Sequence, residues 1–293
     1  MRDQAGRVRR YYNQNTFWML FFGQGRGEAA IHRPVWSKGD LSRAEALHTV
    51  ERLIADTLLA DGRPEPADTV DPPSMAKRFL DLGCGVGGSA LWLAAHHPVC
   101  ITGITLSPVQ AQSARRLALR RGLYDRCTFL VGNFTELPEL PGITDAYAVE
   151  SFSHGDDPES FFTQIAKLLP RGGRLAICDD FLTVARHTDV IHPDAIQRQR
   201  WLSRFREGWH LQSLLTGEDT LRLAARCGFD LVDRTDLTPY LHPTPGLLRA
   251  LQGLAGRALR SSAWGASWYG GSALQVCLRN GWTEYLFLAL EKR

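Results

Sequence analysis

The 293-residue sequence contains no apolar run of the roughly 18 residues that a bilayer span requires. The nearest, Phe17-Trp18-Met19-Leu20-Phe21-Phe22, falls short of the roughly 7–15 residues of a secretory hydrophobic region, and no small-residue cleavage site follows it. No two of the six cysteines (84, 100, 127, 178, 227 and 277) form a C-x-x-C pair, so neither a disulfide framework nor a zinc site is suggested. A metal-free cytoplasmic protein is expected. An excess of one charge is also missing. Thirty-four basic residues face 31 acids, and no basic stripe with interleaved aromatics occurs, which argues against a nucleic-acid partner and against stable membrane association. Only four of the basic residues are lysine (Lys38, Lys77, Lys167, Lys292), an arginine excess that reads as compositional bias of the source genome. With 44% apolar and 22% charged residues, the chain is predicted to fold around a core.

From residue 76 onward apolar runs alternate with helical patterns. Strands are predicted at 78–82, 99–106, 127–131, 144–150, 174–178, 229–233 and 284–290. Helices fall between them at about 88–95, 108–121 and 159–169. This alternation implies βαβ units and a parallel sheet. The Pro- and Asp-rich stretch 61–74 reads as a surface loop after a helix over 41–60. The expected organisation is an N-terminal helical lid over 1–75 and a Rossmann-like domain over 76–293. Helical cap insertions are expected at about 184–215 and 239–282, covering one end of the sheet together with the N-terminal segment.

The strongest local signal is Phe79-Leu80-Asp81-Leu82-Gly83-Cys84-Gly85-Val86-Gly87-Gly88, a strand entering a glycine turn and then a helix. Glycines there permit close approach of a ligand to the backbone, and the helix start offers unpaired N–H groups. A nicotinamide dinucleotide would require an acid about 20 residues on for its ribose. No Asp or Glu occurs between Asp81 and Asp125.

These residues resemble the class I S-adenosylmethionine-dependent methyltransferases, and among them the sterol, tocopherol and cyclopropane-fatty-acid type of carbon methyltransferases. Four stretches carry the resemblance: Leu80–Gly85, Gly103-Ile104-Thr105-Leu106-Ser107-Pro108-Val109-Gln110, Glu150-Ser151-Phe152-Ser153-His154, and Leu169-Pro170-Arg171-Gly172-Gly173-Arg174-Leu175. The resemblance implies a mostly parallel seven-stranded sheet with helices on both faces and a helical N-terminal lid. It implies S-adenosyl-L-methionine as cofactor and S-adenosyl-L-homocysteine as product. Asp81, Gly83, Cys84 and Gly85 are expected near the methionine part, and Thr105, Leu106 and Gln110 near the ribose. Asn133, Phe134 and Glu150 complete the expected cofactor set, although Gly132-Asn133-Phe134 stands where the class usually has an acid for adenine.

A sulfonium methyl needs an aimed nucleophile and management of the charge that follows. Glu150 and His154, after the fourth strand, are the candidate catalytic residues. His154 reads either as the general base or as the group that orients Glu150, and a cofactor or loop role is the alternative for each. Tyr11, Tyr12, Phe17, Trp18, His32, Trp36, Trp201, Trp264, Trp268 and Tyr269 are candidate substrate-lining residues, with plain core packing as the alternative. Arg26, His32 and Arg33 read either as partners for an anion or as surface charges. The first expectation is methylation of an alkene carbon in an apolar, isoprenoid-bearing small molecule of bacterial specialised metabolism. Aromatic faces would stabilise the resulting cation before it rearranges, cyclises or loses a proton. The rivals are an O- or N-methyltransferase of a small natural product, a nicotinamide-dependent oxidoreductase, and a protein that binds the cofactor without transferring methyl. Homo-oligomer formation is left open.

Overall fold

The computed structural model describes residues 32–36, 42–60, 77–184, 193–242, 245–259 and 262–293. Seven strands form one sheet: β1 Arg78–Leu82, β2 Cys100–Thr105, β3 Cys127–Val131, β4 Asp145–Val149, β5 Arg174–Leu182, β6 Phe229–Asp236 and β7 Thr283–Lys292. Their order is β3-β2-β1-β4-β5-β7-β6. All pairs are parallel except those of β7, which runs antiparallel to both β5 and β6. Every strand lies where the apolar runs place one. β5 and β7 extend beyond their apolar runs because they pair along nine positions, from Arg174↔Glu291 to Leu182↔Thr283. That ladder carries Asp179 and Asp180 into the sheet, which the run 174–178 did not include.

The helix predicted over 41–60 is two helices, α1 Arg43–Leu47 and α2 Thr49–Leu58, interrupted at His48. Then come α3 Gly88–His96, α4 Pro108–Arg120, α5 Pro158–Leu168, α6 Pro193–Trp209, α7 Gly217–Arg226, α8 Gly246–Ala258 and α9 Ala263–Arg279. Alternation along the strands feeds two cores. Phe79, Ile101, Phe129 and Tyr147 pack with Val50, Ile54 and Leu91 on one face. Leu80, Ile104, Ala146 and Ile177 pack with Phe161, Phe162 and Ile165 on the other. Burying both faces is what a parallel sheet requires.

A third cluster, with Phe205, Leu211, Leu214, Ala273 and Leu274, joins α6 to α9. The two helices approach at a pair of glycines, where a Cβ on Gly208 would stand 2.5 Å from the Gly270 Cα. The foot of this cap rests on the turn after β4. Gln212 N and Ser213 N donate to Ser153 O, and Ser213 Oγ donates to Gly155 O.

Candidate active site

The chain order reverses between β1 and β4, and open α/β sheets bind ligands at the carboxyl edge of such a switch point. Asp81 is the fourth residue of β1, and Glu150 follows β4 directly. Between them lies the glycine loop. Gly83 N and Cys84 N both donate to Ile104 O, and Gly83 has φ +84°. A Cβ at Gly83 would meet the Ser151 Cβ at 2.5 Å, and Ser151 is itself fixed by its Oγ donating to Leu82 O. Cys84 lies against Gly103 and Ser151 against Gly83, so the first, second and third motif stretches meet at one edge, with Phe134 packed against Gly83 and Gly155. Thr105 Oγ1 donates to Gln110 Oε1 at 2.7 Å, coupling the two residues expected near the ribose. Leu106 follows them half-buried, and Asn133 Oδ1 caps the next turn through Thr135 N.

Asp81 is buried, and among the described residues no cation lies within ion-pairing distance of it. Burial pushes its carboxyl up to about 7, with the Tyr147 hydroxyl acting in the opposite direction. A buried carboxylate left this way becomes favourable when a cationic ligand arrives.

Glu150 adopts φ +46°, a conformation that a non-glycine residue holds at a cost of about 1–3 kcal/mol. It turns the carboxylate onto a cation that the sequence did not assign to it. Glu150 Oε1 accepts from Arg33 N at 3.1 Å, Arg33 Nε at 2.9 Å and the Tyr285 hydroxyl at 3.0 Å. Arg33 Nη2 also donates to Asp180 Oδ2 at 2.9 Å, and its guanidinium lies 4.1 Å from the Tyr285 ring centre. Burial opposes ionisation of Glu150, but the charges of Arg33 and His32 and the hydrogen bonds from Arg33 together outweigh it and hold the carboxyl below its usual range. Asp180 behaves differently. Burial pushes it up to about 7, against Arg33 and with the help of Asp179. Arg33 is therefore neither a surface charge nor open to an external anion on the faces used by these carboxylates. Glu150 likewise has one oxygen saturated by three donors, which makes it a poor proton acceptor.

His154 sits in the turn after Glu150, on the same edge. Burial pushes its imidazole down to about 4, and the Glu150 charge and a hydrogen bond to the His210 backbone only partly offset this. His210 is the other non-glycine residue with positive φ, at +54°. Behind His154, Ser153 N and Oγ donate to Asp179, which burial raises to about 6.

His32, expected to line the substrate, has both ring nitrogens engaged by the protein. Nε2 is 2.7 Å from Glu51 Oε1 and Nδ1 is 3.2 Å from Arg33 O. Glu51 also accepts from Ser89 Oγ, on the helix that the glycine loop opens. Burial works against the imidazolium, but Glu51 raises His32 to about 9. His32 thus clamps residues 32–36 to α2 and α3, and it has no ring nitrogen left for a substrate. Trp36 stacks on His242 with ring centres 4.6 Å apart. Trp201 and Tyr269 are brought together by Arg204, whose guanidinium lies 4.5 Å and 5.8 Å from their ring centres. Trp268 is on α9, half-buried. Tyr11, Tyr12, Phe17, Trp18, Arg26 and the side chain of Trp264 lie outside the described residues.

The methyltransferase domain model matches residues 79–173, the segment from β1 to the turn before β5. The O-methyltransferase rstn1 of Aspergillus nomiae is 36% identical over 55% of this chain and 68% of its own length. The chain belongs to the class I S-adenosylmethionine-dependent methyltransferases. The 24-methylenesterol C-methyltransferase 3 of Arabidopsis thaliana is 30% identical over 55% of this chain and 44% of its own. Among solved structures, the geranyl diphosphate C-methyltransferase of Streptomyces coelicolor superposes with a TM-score of 0.70, over 99% of this chain and 98% of that one. At 20% identity that similarity concerns the fold.

For the methyltransferase, the cofactor is S-adenosylmethionine, and the residues present suit it. The tight turn at Gly83, the opening turn of α3 and Asp81, which has no ion-pair partner among the described residues, suit a ligand with a charged amino-acid end. Asp81, Gly83, Cys84 and Gly85 would hold that end, and Thr105, Leu106, Gln110, Asn133 and Phe134 the nucleoside. The cofactor supplies an electrophilic methyl.

Two outcomes follow from this geometry. Gly83→Val combines a strained φ with a clash on Ser151, so S-adenosylhomocysteine affinity should fall at least about 100-fold, or ~2.7 kcal/mol. Titration calorimetry reads it, with circular dichroism to confirm the fold. The His32–Glu51 pair should stabilise the protein fully below His32's ordinary value of 6.5 and lose that contribution as pH rises through about 9. The wild-type melting temperature should fall across that window, and His32→Ala should cost about 3–5 kcal/mol below it and abolish the window.

Proposed function

We propose that this methyltransferase transfers its methyl group to an alkene carbon of an apolar, isoprenoid-bearing small molecule. The arrangement that carries the reading is Glu150, bonded by Arg33 and Tyr285 at the carboxyl edge, followed four residues on by His154, whose imidazole burial pushes down to about 4. A base that weak is ill matched to an alcohol or phenol, whose proton must be drawn off near neutral pH. It is well matched to a carbocation, a far stronger acid. The alkene π pair forms the new carbon–carbon bond to the methyl, and the adjacent carbon becomes cationic. His154 then takes a proton from a neighbouring carbon, restoring an alkene and leaving an imidazolium. Before that proton leaves, the cation is free to rearrange or close a ring.

The other residues serve this chemistry by fixing charge. Arg33 and Tyr285 hold Glu150 oriented, with Asp180 fixing Arg33, so its negative charge faces the edge where the cation develops. Phe134 offers an aromatic face beside Gly83. The sterol C-methyltransferase and the Streptomyces fold neighbour support carbon as the acceptor, and the latter, with the arginine-rich composition, supports bacterial specialised metabolism. The second reading, O-methylation of a small natural product, draws on the O-methyltransferase of Aspergillus nomiae.

Deuterium-labelled S-adenosylmethionine, offered with prenyl diphosphates, prenylated aromatics, sterol-like lipids and phenols, separates the two readings by mass spectrometry. Label on a former alkene carbon is expected, and label on oxygen or nitrogen overturns the reading. With the substrate so found, kcat should stay level between about pH 6 and 8, since His154 remains neutral there. His154→Phe should keep S-adenosylhomocysteine binding and lose at least about 100-fold in kcat.

A further inference from the structure

Helix α8 is built inside out for a helix of a water-soluble fold. It faces α9 with its small residues: a Cβ on Gly256 would stand 2.6 Å from Tyr269 N, and one on Gly253 would stand 3.3 Å from Ser272 Oγ. Its leucines point the other way. Leu247, Leu248, Leu251 and Leu254 are 49–77% exposed, and Ile196 on α6 is 74% exposed. Ordinary amphipathic helices bury that stripe, and a contiguous exposed apolar patch marks an interaction surface.

Beside the leucines, α6 and α8 line an open groove of about 580 Å³ formed by Ile196, Gln197, Arg200, Trp201, Arg204 and Arg257. None of these three arginines has a carboxylate partner among the described residues. The sequence contains no Asp or Glu between Asp236 and Glu284, so α8 and α9 carry no acid at all. The near-neutral total charge conceals this one-sided distribution, and that total was the ground for expecting no membrane association.

We propose that this face docks on an anionic lipid surface, with the α8 leucines entering the apolar layer and Arg200, Arg204 and Arg257 meeting phosphate groups. Charge argues against two other covers. A second copy of the chain would set arginine against arginine across a two-fold contact. Residues 1–31 carry five arginines against two acids, so they too repel the face. Leucines projecting from a basic helix suit the boundary of an anionic bilayer, whose phosphates the arginines reach while their stems stay in the apolar layer. No helix among the described residues is long and apolar enough to cross a membrane, so the helix lies on the surface. The inference stands apart from the choice of methylated atom.

The test is co-sedimentation of the full chain with vesicles of phosphatidylcholine alone or mixed with phosphatidylglycerol. Binding to the mixed vesicles, weakened by salt, is expected. The double change Arg200→Glu with Arg257→Glu, and separately the triple change of Leu247, Leu251 and Leu254 to Gln, should each reduce it at least about tenfold. S-adenosylhomocysteine binding should be unchanged in both, since all five positions are exposed and lie outside the cofactor edge. Absence of binding overturns the proposal and leaves an acidic protein as the partner to seek. Equal binding to both vesicle types overturns the role of the arginines. A dimer in sedimentation velocity that the leucine changes convert to monomer would assign the face to a second copy instead.

Discussion

One guanidinium ties the site together. Arg33 bonds both Glu150 at the end of β4 and Asp180 near the end of β5, and it lies on the ring of Tyr285 from β7. Three strands and the chain segment that precedes the first helix therefore share one cation. Buried charges survive only in such company: removing one member leaves the others unpaired in a low dielectric, at several kcal/mol. The neighbouring His32–Glu51–Ser89 contact repeats the device one residue earlier and reaches the helix opened by the glycine loop. Segment 32–36 is thus held to both halves of the switch point by charge, and the cofactor cradle and the catalytic edge are positioned relative to each other through it.

This constraint also sorts the site's titratable groups into roles. Glu150 is ionised and saturated at one oxygen, so its contribution is a fixed negative field. His154 is neutral and weakly basic because burial, rather than a neighbouring charge, dominates its environment. Asp81 has no ion-pair partner among the described residues, and the cofactor's own charge would relieve its burial. A field that welcomes positive charge beside a base of low strength is the pairing that favours cationic chemistry on carbon.

Sequence patterns made much of this legible, and the limits have physical reasons. All seven strands follow from local apolar runs, the five parallel ones because strands buried on both faces are apolar throughout. The glycine loop follows from spacing, because backbone approach needs a missing side chain. Arg33 was readable only as a basic residue near the N-terminus, since its partners lie 117 and 147 positions away in sequence. Asp179 and Asp180 did leave a trace, as two acids at the end of an otherwise apolar strand, and Tyr285 is a polar-tipped residue in a buried one. The positive φ of Glu150 left none, since nothing in the residue type announces it. For α8 the expectation is only a helical cap insertion over about 239–282, and the exposure of its leucines is visible in the structure alone.

The most direct measurement of the central claim is the ionisation of Glu150 itself. In protein labelled with 13C at glutamate side-chain carboxyls, the Glu150 resonance, assigned by its loss in Glu150→Gln, is followed against pH in the wild type and in Arg33→Met. The account predicts titration below the ordinary glutamate value of 4.5 in the wild type and well above it in Arg33→Met, where burial is no longer opposed. Equal titration in both proteins would contradict it, showing that Arg33 does not set the charge on which the site depends.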